Sequence, residues 1–298
     1  MKQLKPFLSV ILVTVLAFSC QDQLQEEEIA PQAASLENMV QTNTRHGKYM
    51  LYKAEYITSG EGKEVGNVVY FNHRGNKQLD EDFVEDYSED GTSDISYYVD
   101  NNRHSEDLSA DITEAAIDRA MDTWDDATCS DLGMTKLPYD GRSTGFIAEL
   151  FGYGGSYAYV ADIVHAGWLP GEFFDMIIPG GSTGVLAVTF TLIYVDAEGN
   201  PTDMDGNGKA DVAWREIYHN DAFTWNDGYT YDVETIALHE AGHGLSQNHF
   251  GTAFTTLKNG KLHFAPRAVM NAAYSQVQTE ISGTDLAGHC SNWANWGK

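Results

Sequence analysis

The chain has 298 residues, of which 42% are hydrophobic, so it can bury the core of one large domain or of two smaller ones. Its 44 Asp and Glu residues against 18 Lys and Arg give a formal net charge of -26 at pH 7. Phosphate backbones and anionic lipid surfaces repel such a chain, so we expect no nucleic-acid partner. The same carboxylates are hard oxygen ligands that suit calcium.

The first residues are typical of an export signal. Lys2 and Lys5 precede an apolar stretch, residues 7–18, that is too short to cross a bilayer as a mature helix. Residues 16–20 resemble the lipobox of bacterial lipoproteins, although Ala17 stands where that motif usually has Leu. The resemblance implies that residues 1–19 are removed and that lipidated Cys20 anchors an exported envelope protein, periplasmic or on the cell surface, or later released. An ordinary cleaved signal peptide is the alternative.

Only Cys129 and Cys290 remain after Cys20. Two thiols in an oxidising compartment favour pairing, so we predict a disulfide between them. Two separate buried thiols that behave as small hydrophobic residues are the alternative.

The chain between Cys20 and the main domain falls into two parts. Residues 20–48 are rich in polar residues and lack apolar periodicity, which predicts a flexible tether. Residues 49–93 contain short β-prone runs, at 49–52 and 68–71, and end in an acidic loop, which predicts a small β-rich segment. Whether that segment is an inhibitory prosegment or a stalk is open. We place the main domain at residues 94–298.

Strand and helix patterns alternate in the main domain. Residues 95–99 predict a strand and residues 112–124 an amphipathic helix, followed by strands at 184–195 and 212–218. A further helix is predicted to begin near Asp232, which is a suitable N-cap with Glu234 in the first turn. The chain has no internal repeat.

That helix carries residues with the spacing of a zinc site. His239 and His243 lie four residues apart, on one helix face and within reach of one ion, and Glu240 lies beside them. Zinc needs neutral imidazoles and an open position for water, and an adjacent carboxylate can take a proton from that water. The five-residue motif is weak by itself, because a histidine pair on a helix is often structural.

A third imidazole, His249, completes the spacing H-E-x-x-H-x-x-G-x-x-H of the metzincins. Ser246 replaces the glycine at which the chain leaves the helix with a positive φ. We expect Gly244 and Asn248 to allow the turn instead, because both tolerate unusual dihedral angles.

A second resemblance begins 21 residues after His249, where Met270 and Tyr274 lie in a stretch, residues 268–274, that resembles the metzincin Met-turn. Residues 284–288 are similar to the start of the last matrixin helix, and residues 184–187 resemble the edge strand that receives substrate. Residues 94–298 therefore resemble the matrixin-like metzincins. The resemblance implies structural roles for Met270 and Tyr274.

The resemblance also implies a fold and an activity. We expect an α+β domain with a mostly parallel twisted sheet, a zinc-site helix and a C-terminal helix, preceded by the small β-rich segment. We expect a monomeric zinc endopeptidase in which Glu240 is the general base and acid, with a protein or peptide substrate extended along residues 186–188. Its only membrane contact would be through Cys20. Matrixin prosegments often use a cysteine to bind the zinc, and residues 21–128 contain none.

An acidic turn precedes the second predicted strand and matches the first half of an EF-hand loop. The predicted calcium ligands are Asp203, Asp205, Asn207, Lys209 and Asp211. Trp214 occupies the position of the last, bidentate Glu, so the pattern favours a compact calcium-stabilised turn over a helix-loop-helix sensor. A solvated turn without a metal is the alternative.

Two other functions use the same residues. One is a weakly active or inactive binding or adhesion lipoprotein that keeps the metzincin scaffold and is stabilised by calcium; the change at Ser246 favours it and the intact Glu240 opposes it. The other is zinc-dependent hydrolysis of a non-peptide bond.

Overall fold

The computed structural model describes residues 41–71 and 81–297. The predicted signal, Cys20 and most of the predicted tether lie outside them. The strands are β1 (Gln41–Thr44), β2 (Gly47–Thr58), β3 (Val68–Tyr70), β4 (Glu81–Asp82), β5 (Ile95–Val99), β6 (Met134–Lys136), β7 (Ile163–Leu169), β8 (Val185–Val195), β9 (Ala210–Asn220), β10 (Thr252–Thr255) and β11 (Leu262–Ala265). The helices are α1 (Ala110–Asp125), α2 (Phe146–Leu150), α3 (Gly171–Asp175), α4 (Gly181–Gly184), α5 (Val233–Gly244) and α6 (Gly283–Trp293), with a 3-10 turn at Asn101–Arg103.

One mixed sheet organises the described chain. Its order is β1-β2-β8-β9-β7-β5-β6, with β3 beside β2 and β4 beside β9. Strands β6, β5, β7, β9 and β4 pair in parallel, whereas β8, β2, β1 and β3 pair antiparallel. Strands β10 and β11 form a separate hairpin. The α+β class predicted from the sequence agrees with this architecture.

The two faces of the sheet bury different cores. All eleven residues of β8 and of β9 are buried, as expected of strands covered on both faces. Helices α1 and α5 cover one face, where the Trp124 indole donates a hydrogen bond to the Leu238 carbonyl at 2.9 Å. Helices α2 and α3 cover the other face with a cluster that includes Phe146, Phe173 and Phe190. The helix α5 therefore lies directly on the central strands.

The N-terminal strands correct the predicted domain boundaries. Residues 41–48, predicted as tether, already form β1 and the start of β2. Ten of the twelve residues of β2 are buried, and β2 joins the main sheet by pairing with β8. Residues 49–58 are therefore part of the main domain's sheet and core, which local sequence patterns could not indicate because the pairing partner is more than 120 residues away.

The remaining elements lie close to their predicted positions. Strand β5 has the predicted bounds, α1 extends the predicted helix by two residues at its start and one at its end, and Asp232 caps α5 by accepting a hydrogen bond from the Thr235 N–H. A disulfide joins Cys129, just after α1, to Cys290 in α6. Within the described residues, no helix is long and apolar enough to cross a membrane.

Candidate metal centre

Helix α5 positions two of the three histidines. Asp232 at its N-cap and Glu234 in its first turn place negative charge where the helix dipole favours it. All residues of the helix except Glu234 are buried, so its histidines face protein rather than solvent. His239 and His243 lie one turn apart, and their ring centroids are 4.8 Å from each other.

The three predicted ligands meet at one point. His243 Nε2 lies 3.1 Å from His239 Nε2 and 3.2 Å from His249 Nε2. Two nitrogens bound tetrahedrally to one zinc ion at 2.0–2.1 Å would be about 3.3 Å apart, so these separations suit a shared ion. Within the described residues, no other group of three or more His, Cys, Asp or Glu side chains converges in this way.

Backbone carbonyls orient two of the rings. His239 Nδ1 donates to the Val269 carbonyl and His243 Nδ1 to the Gln247 carbonyl, both at 2.7 Å. A proton held on Nδ1 leaves the Nε2 lone pair free for a metal. Burial lowers the pKa of His239 to about 4 and that of the other two histidines well below its usual value, so the rings are neutral at pH 7.

Ser246 itself makes the turn that returns His249 to the cluster. Its φ is +64°, the left-handed conformation that the motif glycine would adopt, whereas Gly244 and Asn248 do not have a positive φ. Buried Arg215 stabilises this turn: its guanidinium donates to the Ser246 hydroxyl at 3.1 Å and to the Gly244 carbonyl at 2.7 Å. The prediction that Gly244 and Asn248 would supply the unusual dihedrals was wrong, because a hydrogen bond holds serine in that conformation.

Residues 268–274 pass directly under the cluster. Met270 is buried and its sulfur lies against Gly242, where any side chain would collide with it. Asp285, at the start of α6, accepts hydrogen bonds from the Val269 and Met270 N–H groups at 3.0 and 3.1 Å. The helix α6 thus fixes the loop that orients His239.

Glu240 is fully buried beside the histidines. Its Oε2 accepts a hydrogen bond from the Thr189 hydroxyl at 2.6 Å, and its Oε1 has no hydrogen-bond partner among the described residues. Burial raises the pKa of Glu240 well above its usual value, although the hydrogen bond from the Thr189 hydroxyl opposes the rise. The Glu55 carboxylate adds to the rise, and the Ile57 N–H, which lies near the carboxyl group outside hydrogen-bonding geometry, opposes it. A carboxyl group of raised pKa with one free oxygen is suited to exchange a proton with a bound water.

A buried charge cluster behind the site was not predicted. Lys53 lies 2.9 Å from Glu55 Oε2, without the alignment of a hydrogen bond, and 2.5 Å from Glu81. Glu81 also pairs with Arg215 at 3.3 Å, and Glu55 Oε1 is 3.5 Å from His243 Nδ1. The sequence shows charged residues at alternate positions of β2 and a single Arg in the apolar strand β9. That these side chains lie in contact with each other depends on the fold.

The predicted substrate edge is covered. Residues 186–188 of β8 pair with β2 on one side and with β9 on the other, so the prediction that this strand is an open edge was wrong. Only about 20 Å³ remains in a pocket beside His239, which Ile57, Thr235, Val269 and Tyr274 help to line. A larger cavity of about 630 Å³ lies between α6 and residues 246–250, beside His249.

The acidic turn lies away from the histidines, between β8 and β9. Asp203 accepts a hydrogen bond from the Gly208 N–H, Asp205 from the Asn207 N–H, and Asp211 from the Met204 N–H. Lys209 pairs with Asp82 of β4 at 3.0 Å. Each of these carboxylates accepts a hydrogen bond from an N–H group of the same turn and keeps further lone pairs for a cation.

Fold and site together define an α+β protein with a cluster of three histidines, two buried and one half-buried, that suits a metal ion. No family model matches the chain, and no curated protein matches it.

Proposed function

We propose that the chain is a zinc-dependent endopeptidase of the matrixin-like metzincin kind, with His239, His243 and His249 as ligands and Glu240 as general base and acid. The observation that carries the proposal is the meeting of three neutral imidazole Nε2 atoms beside a buried carboxyl group with a free oxygen. The residue spacing, the Met-turn-like loop under the cluster and the left-handed Ser246 agree with it. Export, lipidation at Cys20 and calcium binding at residues 203–211 remain predictions.

Zinc at this site would polarise a peptide carbonyl and lower the pKa of a bound water to about 7. Glu240 takes a proton from the attacking water and delivers it to the leaving amide nitrogen. Thr189 holds one carboxylate oxygen and thereby directs the other toward the reacting groups. The carbonyls of Val269 and Gln247 keep the imidazoles in the orientation that ligation needs.

The test is Glu240→Gln in the zinc-loaded chain, assayed on casein with and without a chelator. Loss of a general base typically reduces turnover by about 10²- to 10⁴-fold, and the zinc content should not change. Glu234→Gln is the matched control, because it makes the same substitution on the same helix at a residue that pairs with Arg119. Equal turnover in wild type and Glu240→Gln would remove Glu240 from the mechanism.

A second function, a binding or adhesion protein on the same scaffold, is favoured by two observations. Glu240 is fully buried and β2 closes the strand edge at which a peptide would bind. This function predicts no chelator-sensitive cleavage in any form of the chain. Hydrolysis of a non-peptide bond would instead appear as chelator-sensitive turnover of ester substrates without cleavage of casein.

A further inference from the structure

Residues 241–279 form the longest stretch of the sequence without an Asp or Glu. At the average density of 44 acidic residues in 298, a stretch of this length would contain about six. The same stretch contains Lys258, Lys261 and Arg267. A chain with a net charge of -26 therefore includes a segment of the opposite charge, and that segment begins on helix α5.

The positive charge of this segment lies on a hairpin, residues 250–267, which we call the basic hairpin. Strands β10 and β11 pair with each other and with no other described strand, and none of the residues 250–267 is buried. The Thr256 N–H closes the tip by donating to the Lys261 carbonyl at 3.1 Å. Neither Lys258 nor Lys261 pairs with a carboxylate among the described residues. Both ammonium groups are therefore available to a partner.

Apolar side chains are exposed on the same hairpin. Leu257 at the tip is fully exposed, and Phe250 and Phe254 are each about half exposed. Phe254 stacks on His263 of the neighbouring strand, with ring centroids 5.6 Å apart. Exposed apolar groups with a polar rim are typical of interaction sites. The basic hairpin thus offers apolar contacts and cations together.

The base of the basic hairpin is fixed beside the histidines. The hairpin starts directly after His249, and the Phe250 N–H donates to the Met270 carbonyl at 2.7 Å. The side-chain amide of Asn271 donates to the Phe250 carbonyl at 2.8 Å and to the Pro266 carbonyl at 3.2 Å, which joins the two ends of the hairpin. A partner bound to the hairpin would therefore lie next to the metal centre.

An extended acidic peptide fits this surface better than an anionic membrane does. Strands β10 and β11 each have an outer edge that pairs with no described strand, and an extended peptide can add to such an edge through backbone hydrogen bonds. Strand β8 offers no such edge, because β2 and β9 flank it. An anionic membrane would also meet the acidic remainder of the chain, which it repels, whereas a peptide is small enough to contact the hairpin alone.

We propose that the basic hairpin is a docking surface for an extended segment of a partner protein that carries acidic residues and an aromatic or aliphatic side chain. Lys258 and Lys261 pair with the carboxylates, Leu257 and Phe254 contact the apolar side chain, and a strand edge of the hairpin binds the backbone. The binding itself does not depend on the proposed function, but the identification of the partner as a substrate rests on it. In the proposed peptidase, the hairpin selects acidic substrates and holds them beside the zinc ligands.

The test measures binding of a labelled peptide to the zinc-loaded full chain with Glu240→Gln. The probe is a ten-residue peptide in which Glu alternates with Thr and Phe, and it is compared with the same peptide carrying Gln in place of Glu. We expect the acidic peptide to bind about fivefold more tightly than the Gln peptide. Lys258→Gln with Lys261→Gln should weaken the acidic peptide about tenfold, because each exposed ion pair contributes up to about fivefold. This difference should shrink at about 1 M salt, where the Debye length falls to about 3 Å.

Arg45→Gln with Arg142→Gln is the matched control for charge. Both arginines are exposed and lie outside the hairpin, before β2 and before α2, so the net charge changes equally and the peptide affinity should equal that of the parent. Leu257→Ser should weaken binding about threefold through loss of apolar contact. Ile112→Ser, at an exposed aliphatic residue on α1, should not. All these positions are at the surface, so the variants should fold as the parent does.

Equal affinity of the parent and the double lysine variant for the acidic peptide would overturn the proposal, and so would equal binding of the Gln peptide. Binding to phosphatidylglycerol vesicles without binding of the acidic peptide would overturn it in favour of a lipid surface. If the acidic peptide binds as expected but the chain that retains Glu240 does not cleave it, the docking surface stands and the peptidase function fails.

Discussion

Two regions of this sequence predict a metal site, and the fold treats them differently. Residues 239–249 bring three imidazole nitrogens together in a largely buried cluster, in which backbone carbonyls hold the two fully buried rings. Residues 203–211 form a largely exposed turn in which the carboxylates accept hydrogen bonds from neighbouring N–H groups.

The difference shows which motifs specify their own geometry. A helix fixes the spacing of residues four apart, and burial then leaves each imidazole few orientations. An exposed acidic turn leaves its carboxylates more orientations, and each of them accepts a hydrogen bond from a nearby backbone N–H group. The predictions below test this contrast, from the largest expected effect to the smallest.

Replacing one predicted ligand in each of the two regions tests the contrast directly. We expect His249→Ala to weaken zinc binding by more than about 100-fold, because loss of even an outer-shell partner of a ligand costs about 10- to 100-fold. Asp205→Ala should leave the zinc affinity unchanged. Competition with a chromophoric chelator measures the zinc affinity of both variants. A comparable loss in the two variants would mean that the turn takes part in the zinc site.

His165, a buried histidine outside the cluster, tests how burial changes the pKa of a histidine and thereby the stability of the fold. Burial lowers the pKa of His165 from its ordinary value of 6.5 to about 3. Its contribution to stability is complete above pH 6.5 and is lost as the pH falls toward 3, because the unfolded chain takes up a proton that the folded chain does not. In that range the free energy of unfolding should fall by about 1.4 kcal/mol per pH unit on account of this group.

His165→Met removes that contribution. Urea unfolding at pH 7 and pH 5 measures how far the free energy of unfolding falls between the two pH values. We expect this fall to be about 2 kcal/mol smaller in the variant than in the wild type. Parallel pH dependences in the two chains would contradict the assigned cause.

The Ser246 turn offers a test of how the histidine cluster closes. Ser246→Ala keeps the positive φ but removes the acceptor of an Arg215 hydrogen bond, and we expect a loss of about 1.5 kcal/mol. Ser246→Gly should lose less, because glycine adopts this conformation without strain. Chemical denaturation of the two variants shows which of them has the lower free energy of unfolding. A more stable Ala than Gly variant would show that the dihedral angle does not matter here.

Calcium should have the smallest effect. If residues 203–211 bind calcium weakly, with free calcium at about ten times Kd, the free energy of unfolding rises by about 1.4 kcal/mol. The melting temperature of the wild type would increase with calcium and that of Asp203→Asn would not. An identical response in both chains would place any bound calcium elsewhere.

Much of the local structure could be predicted because its causes are local. The alternation in residues 95–99, the periodicity of α1 and the N-cap at Asp232 each depend on neighbours in the chain. The proximity of His239 and His243 was also predictable, because the helical repeat places them on one face. The role of Gly244 was mispredicted, since the hydrogen bond that lets Ser246 take a positive φ comes from a distant strand.

The sequence by itself determined which histidines form the cluster, since their type and spacing are set within eleven positions. Only the tertiary structure decided that β2 covers β8 and that Lys53 and Glu81 meet Arg215. The physical reason is that backbone hydrogen bonding between strands is almost independent of side-chain identity. Which strand pairs with which is therefore settled by burial and by contacts among residues far apart in the chain.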